Sequence, residues 1–195
     1  MDIPLKNIGW IEVICGCMFS GKSEELLRRI RRCQIAKQKI AVFKPRRDTR
    51  YSENEIVSHD KARISSMPVI DSAELYVNVT PDVQVVGIDE AQFFDAGLVQ
   101  VCEKLANEGK RVIVAGLDQD YLGRPFEPIP QLLAIAEYVT KTLAICVVCG
   151  NPANRSYRKV QSEERILLGS QDSYEPRCRR CFQPLGEEKQ LEIKS

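Results

Sequence analysis

Apolar positions fall in short dense runs separated by polar stretches of helical period. The runs "WIEVIC" (10–15), "KIAVFK" (39–44), "VQVVGI" (83–88), "RVIVAG" (111–116) and "TLAICVV" (142–148) have the length and the Val/Ile content of β-strands. Between the first two, "SEELLRRIRRCQIAKQ" sets Leu26, Ile30 and Cys33 at i, i+4 and i+7, the stripe of an amphipathic helix. Helical patterns also cover roughly 97–108 and 130–138. Strands this continuously apolar are covered on both faces, so the pattern predicts an α/β fold with a parallel sheet flanked by helices. The polar, charge-rich stretch 45–66 reads as a mobile loop, and no internal repeat interrupts the alternation.

The turn between the first strand and the first helix carries chemistry. It reads "GCMFSGKS", with Gly16, Gly21, Lys22 and Ser23 in the order G-x-x-x-x-G-K-S. Glycine tolerates the backbone angles that aim successive N–H groups at one anion, and the loop opens a helix N-terminus, which attracts phosphate. Lys22 is then expected to reach the β- and γ-phosphates, and the Ser23 hydroxyl to hold Mg²⁺. Cys17 and Met18 sit inside the loop without being required by its geometry. The run "VQVVGI" ends in Asp89 and Glu90, at the strand edge where ligands bind in open α/β sheets. One acid there suits a second Mg²⁺ anchor, the other a proton acceptor.

Eight cysteines include "CVVC" (Cys146, Cys149) and "CRRC" (Cys178, Cys181), with 28 residues between the two pairs. Paired C-x-x-C knuckles complete the closed Cys₄ shell of structural zinc, and two disulfides are the competing reading. Cys15, Cys17, Cys33 and Cys102 have no partner spacing and read as small apolar fillers. The 195 residues suit one domain with an appendage: 1–143 as a phosphate-loop domain, 144–185 as a small C-terminal zinc-binding lobe, and 186–195 as a solvated tail. Twenty-eight basic against 27 acidic residues argues against a strongly electrostatic nucleic-acid or membrane binder. The first residues carry no apolar signal core and no run reaches membrane-spanning length, so a cytoplasmic protein is expected.

The segments "GCMFSGKSEELLRRIRRCQIA", "DTRY", "SHD", "DEAQFF", "VIVAGLD" and "RPF", followed by the paired knuckles, closely resemble the thymidine kinases of bacteria and the animal cytosol. The likeness runs from about residue 8 to residue 182. It implies a phosphate-loop NTPase-like α/β domain with a zinc-bearing lobe, assembled as a homotetramer, using ATP, Mg²⁺ and structural Zn²⁺. It further implies an ATP site at Gly16, Cys17, Met18, Phe19, Ser20, Gly21, Lys22 and Ser23 together with Asp89, Glu90, Ala91 and Gln92. Ser23 and Asp89 would hold Mg²⁺, Glu90 would be the base for a nucleoside 5′-hydroxyl, and Arg50, near Asp48 in "DTRY", would neutralise the transferring group. Without the resemblance Arg50 reads as a solvated loop charge.

The implied thymine pocket draws on Met18, Phe93, Leu117, Tyr121, Phe126 and Tyr174, with Leu167, Leu168 and Gly169 supplying backbone contacts. From sequence alone each apolar member reads more often as core than as ligand. His59, the single histidine, is expected to order a loop. A second class of function also accounts for a phosphate loop beside a Cys₄ site: a zinc-ribbon nucleic-acid-binding ATPase. It predicts a basic patch formed from Arg155, Arg158, Lys159, Arg177, Arg179 and Arg180.

Overall fold

The computed structural model describes residues 8–46 and 63–160, then 173–183, with the backbone alone of 55–57. In chain order its elements are β1 (Trp10–Cys15), α1 (Lys22–Ile35), β2 (Ile40–Pro45), β3 (Glu55–Val57), β4 (Arg63–Ser65), β5 (Met67–Val69), α2 (Ser72–Val77) and β6 (Val85–Ile88). A 3₁₀ turn (Ala91–Phe93) follows, then α3 (Gly97–Asn107), β7 (Arg111–Gly116), α4 (Ile129–Ile135), β8 (Tyr138–Lys141), β9 (Ala144–Ile145), β10 (Pro152–Ala153), β11 (Arg155–Arg158) and β12 (Tyr174–Arg177).

Six strands form one sheet in the order β5-β2-β6-β7-β1-β8, and every pairing is parallel. The alternation of side chains explains why its strands are apolar at successive positions. Val13 of β1 and Val112 and Val114 of β7 face a core shared with α3 and α4 residues such as Leu98, Leu105, Ile129 and Leu132. Ile14, Ile113 and Ala115 face the opposite core, closed by Leu26, Leu27, Ile30 and Cys33 of α1. Both faces are thus buried, as the expected doubly covered sheet requires. Cys15, Cys33 and Cys102 are buried in these cores, as fillers should be.

Three expectations are corrected. The last sheet strand is β8, not 142–148, and the helix before it stops at Ile135. The reason lies in the partner: β1 ends at Cys15, opposite Lys141, and turns away at Gly16, so beyond Thr142 the chain has no neighbouring strand in this sheet. Beyond that point Leu143, Ile145, Val147 and Val148 are exposed, so this apolar run reflects the knuckle's surface and not a buried strand. Within 45–66, expected as loop, β3 and β4 pair antiparallel, Ile56 facing Ile64 in register.

One charged cluster lies inside the fold. Glu12 of β1 is nearly buried and accepts from Trp10 Nε1 at 2.7 Å, Arg111 Nε at 2.6 Å and Arg29 of α1 at 2.7 Å. Burial alone would raise the Glu12 carboxyl, but the bonds from Arg111, Trp10 and Arg29 outweigh it and hold it below its usual range. A depressed folded-state value stabilises the fold above the ordinary glutamate range and loses that stabilisation as pH falls through the folded value. Glu12→Gln is therefore expected to cost about 2–3 kcal/mol at neutral pH, since it strands two partly buried guanidinium groups. Urea melts should show the difference from wild type shrinking below about pH 4; a gap constant from pH 7 to pH 3 would refute the assignment.

Candidate active site at the carboxyl edge of the sheet

In a parallel sheet all strand ends point the same way, and here β7 lies between β1 and β6, pairing Cys15 with Gly116 and Ile88 with Val114. The three loops that follow these strands are therefore neighbours. After β1 the chain turns through Gly16 (φ 147°) and Gly21 (φ 83°), angles that a side chain would strain. A Cβ on Gly16 would stand 2.3 Å from the Thr142 carbonyl oxygen. Gly21 precedes α1 with no side-chain cap, so the first N–H groups of the helix are left to a ligand.

The loop is braced from within and from outside. Ser20 Oγ donates to the Cys17 carbonyl at 2.8 Å and lies 2.8 Å from Thr142 Oγ1, while Lys22 Nζ donates to the same Cys17 carbonyl at 2.8 Å. Cys17 Sγ donates to the Ala153 carbonyl at 3.3 Å, and Met18 N–H donates to Ser156 Oγ at 3.0 Å. Phe19 takes a left-handed angle (φ 64°) in the same turn.

The acids follow β6 directly. Ser23 Oγ donates to Asp89 Oδ2 at 3.1 Å, so the helix-opening hydroxyl and the strand-end carboxylate meet as the sequence suggests. Burial, and then the adjacent Glu90 carboxylate, push Asp89 up to about 7. Its Oδ1 accepts the Glu90 N–H at 2.9 Å. Glu90 is left-handed (φ 50°, ψ 41°), an uncommon conformation for a residue with a side chain. Ala91 and Gln92 are buried in the 3₁₀ turn. The Gln92 amide reaches both the Glu90 carboxylate and the Leu117 N–H.

An aromatic wall stands on the same edge. Phe93 and Phe126 pack edge to face with ring centroids 6.1 Å apart. Arg158, only 3% exposed, lays its guanidinium 3.5 Å from the centre of the Tyr121 ring and donates to the Tyr174 hydroxyl at 2.8 Å. Arg158 and Ser156 were not legible as site residues. On β11 they are the inward members of an alternating pair set, but an arginine in a charged stretch reads by default as solvated. Arg50, Asp48, His59, Leu167, Leu168 and Gly169 lie outside the described residues.

The four knuckle cysteines converge. Their Sγ atoms all lie within 4.8 Å of one another, with Cys149 and Cys178 at 3.6 Å. Tetrahedral thiolates at about 2.3 Å from a zinc ion stand about 3.8 Å apart, whereas a disulfide closes to about 2.05 Å. All four are free thiols, so the arrangement fits one ion better than two bridges. Cys17 of the phosphate loop packs in the same cluster as Cys146, Ala153 and Cys178.

Comparison with known proteins agrees with this geometry. The family model for thymidine kinase matches residues 9–182. The chain belongs to the thymidine kinase family. It is 65% identical over 178 residues to a thymidine kinase of Rhodothermus sp. (strain ITI 518), covering 91% of this chain and 83% of that protein. Among solved structures it is similar to the Legionella pneumophila ATPase DotB, at 16% identity and a TM-score of 0.46, over 74% of this chain and 43% of that one. No described helix is long and apolar enough to cross a membrane.

Lys22 is the one cation in the loop 16–23, and the G-x-x-x-x-G-K-S pattern is what assigns it to phosphate as an expectation. Replacing it by Ala should leave the melting temperature of the free protein near wild type and remove most of the stabilisation given by ATP. That stabilisation is about 2.7 kcal/mol at a hundredfold excess over Kd. A variant that ATP protects as well as it protects wild type would exclude Lys22 from the phosphate site.

Proposed function

We propose that the protein transfers the γ-phosphoryl group of ATP to the 5′-hydroxyl of thymidine, and less well to that of deoxyuridine. The observation that carries this reading is the meeting of Ser23 with Asp89, directly beside Glu90 and on the same edge as the Phe93 and Phe126 wall. The loop Gly16–Ser23 offers N–H groups to the triphosphate, and Lys22 exchanges the Cys17 carbonyl for phosphate oxygens. Mg²⁺, when bound, would offset charge on the phosphates beside Ser23 and Asp89. A carboxylate so buried suits a site that receives a cation, because the cation favours the charged form that burial opposes.

Glu90 accepts the 5′-hydroxyl proton as the hydroxyl oxygen bonds to the γ-phosphorus and the bond to the β-phosphate bridge breaks, releasing ADP. Arg50, from the "DTRY" segment, spreads positive charge onto the transferring group. Met18, Phe93, Leu117, Tyr121, Phe126 and Tyr174 enclose the base, and Leu167, Leu168 and Gly169 read its edge through their backbone. The exposed edge strand β8, with Tyr138 and Val139 uncovered, supports assembly into the homotetramer that the resemblance implies.

The nucleic-acid-binding alternative loses its patch. Arg158 is buried against tyrosines, Arg177 stacks 3.4 Å from the Tyr157 ring and pairs with Glu175 at 2.6 Å, and Arg155 bonds Gln119. At least three of the six cations are thus engaged within the protein, which breaks up a continuous phosphodiester track.

Two measurements test the reading. Thymine presents an acceptor at O4 and a donor at N3–H, whereas cytosine reverses both and would leave two buried groups unpaired at about 1–3 kcal/mol each. The missing methyl of deoxyuridine is worth only about 1–3 kcal/mol in an apolar pocket. ADP release should thus follow thymidine, then deoxyuridine, then deoxycytidine by kcat/KM, and stimulation by single-stranded DNA in place of thymidine would reject the kinase. Separately, elemental analysis should find one zinc per chain, and Cys178→Ser should lower both zinc content and melting temperature. Full stability without zinc would reject the structural metal.

A further inference from the structure

Gln92 is placed by the family resemblance among the nucleotide contacts, yet its side chain turns elsewhere. It is 3% exposed, and both ends of its amide are engaged within the protein. Oε1 accepts the Leu117 N–H at 2.9 Å. A backbone N–H can only donate, which settles the orientation of the amide: Nε2 must face the other way. There it donates to Glu90 Oε2, and an ionised carboxylate can only accept. Chemical complementarity at both ends therefore leaves this amide one orientation.

The backbone around it is shaped for the amide. A Cβ on Gly116, the last residue of β7, would stand 3.0 Å from Gln92 Oε1 and 2.6 Å from Ile129 Cδ1. A side chain at this position would crowd both the amide oxygen and Ile129. Glu90 meanwhile holds a left-handed conformation, which a surrounding set of bonds must maintain.

We infer that Gln92 is the positioning residue for the Glu90 carboxylate, holding one oxygen so that the carboxylate cannot rotate away from the incoming hydroxyl. The same amide ties that carboxylate to Leu117, in the loop assigned to the base pocket, so a base seated against the loop and the proton acceptor share one rigid link. The inference rests on the reading of Glu90 as the base. A base acts only within hydrogen-bond reach of its proton, so loosening its orientation lowers turnover without weakening ground-state binding.

The test compares the purified full-length enzyme with Gln92→Glu, Gln92→Met, Glu90→Gln and the two double variants, measuring kcat, KM for ATP and thymidine, and melting temperature. Gln92→Glu keeps an acceptor for Leu117 N–H but sets a second buried carboxyl against Glu90 in place of the amide donor. It should melt below wild type, lose about tenfold or more in kcat, and keep both KM values within about threefold. In the Glu90→Gln background the same change should cost less than about twofold, because no base is left to position. Should Gln92→Met fail to fold, Gln92→Glu decides alone.

Wild-type kcat in Gln92→Glu overturns the inference. So does a raised KM for ATP at unchanged kcat, which would make Gln92 a nucleotide contact, and so do equal losses in both backgrounds. Those results leave the base reading standing whenever Glu90→Gln is itself slow. A Glu90→Gln enzyme with wild-type turnover removes the base reading and the inference with it.

Discussion

Parallel pairing of β1, β7 and β6 is the constraint on which the site depends. Because the three strands run in one direction in register, the phosphate loop, the Asp89–Glu90 pair and the loop through Leu117 all emerge at one edge within reach of one another. Parallel strands cannot be joined by tight hairpins, so each return passes through a crossover segment, and that need places α1 on one face and α3 on the other. The apolar runs that look like ordinary core are thus what hold polar groups in position. Val86 and Ile88 are fully buried, and the chain has no freedom to move Asp89 without unpacking them.

Holding the site in this way is costly locally. Glu90 sits in a left-handed well that costs about 1–3 kcal/mol for a residue with a Cβ. Asp89 is a carboxylate taken out of water beside a second carboxylate. Neither would persist on a loop with its own freedom. Ser23, the Glu90 N–H and Gln92 each satisfy one oxygen of the pair, and these bonds are made by elements that the two cores already fix. Strain and desolvation of this kind are a recurrent mark of functional sites.

The parts of this arrangement that were legible in the sequence share a physical property: they are local. Gly16, Gly21, Lys22 and Ser23 lie within one turn, Asp89 and Glu90 directly follow a buried strand, and each C-x-x-C pair is its own knuckle. What escaped depends on contacts between residues far apart. The partner strand β1 ends at Cys15, opposite Lys141, so the apolar run after Thr142 has no strand to pair with in this sheet and is surface, and the sheet strand lies earlier. Arg158 is buried only because Tyr121 and Tyr174 come from other elements to cover it. The hairpin of β3 and β4 consists of three-residue strands with hardly any alternation to read. Ser156 carries no signal at all, since its role is to accept the N–H of Met18, distant in the chain.

That last bond bears on how the two ends of the chain are joined. The phosphate loop is held against the knuckle region by Met18 N–H to Ser156 and by Cys17 to the Ala153 carbonyl, and Cys17 shares an apolar cluster with Cys146 and Cys178. A phosphate loop works by presenting N–H groups in a fixed arc, so whatever holds the middle of the arc also sets its shape. Here that support is two pairs of short strands with little core of their own, β9 with β10 carrying Ala153 and β11 with β12 carrying Ser156, next to four thiols clustered within 4.8 Å. Strand pairs this short are not self-sustaining, and a closed four-thiolate centre is the kind of staple such small units require. The cysteines remote from the loop in sequence therefore act on the loop through packing, since Cys17 shares their apolar cluster.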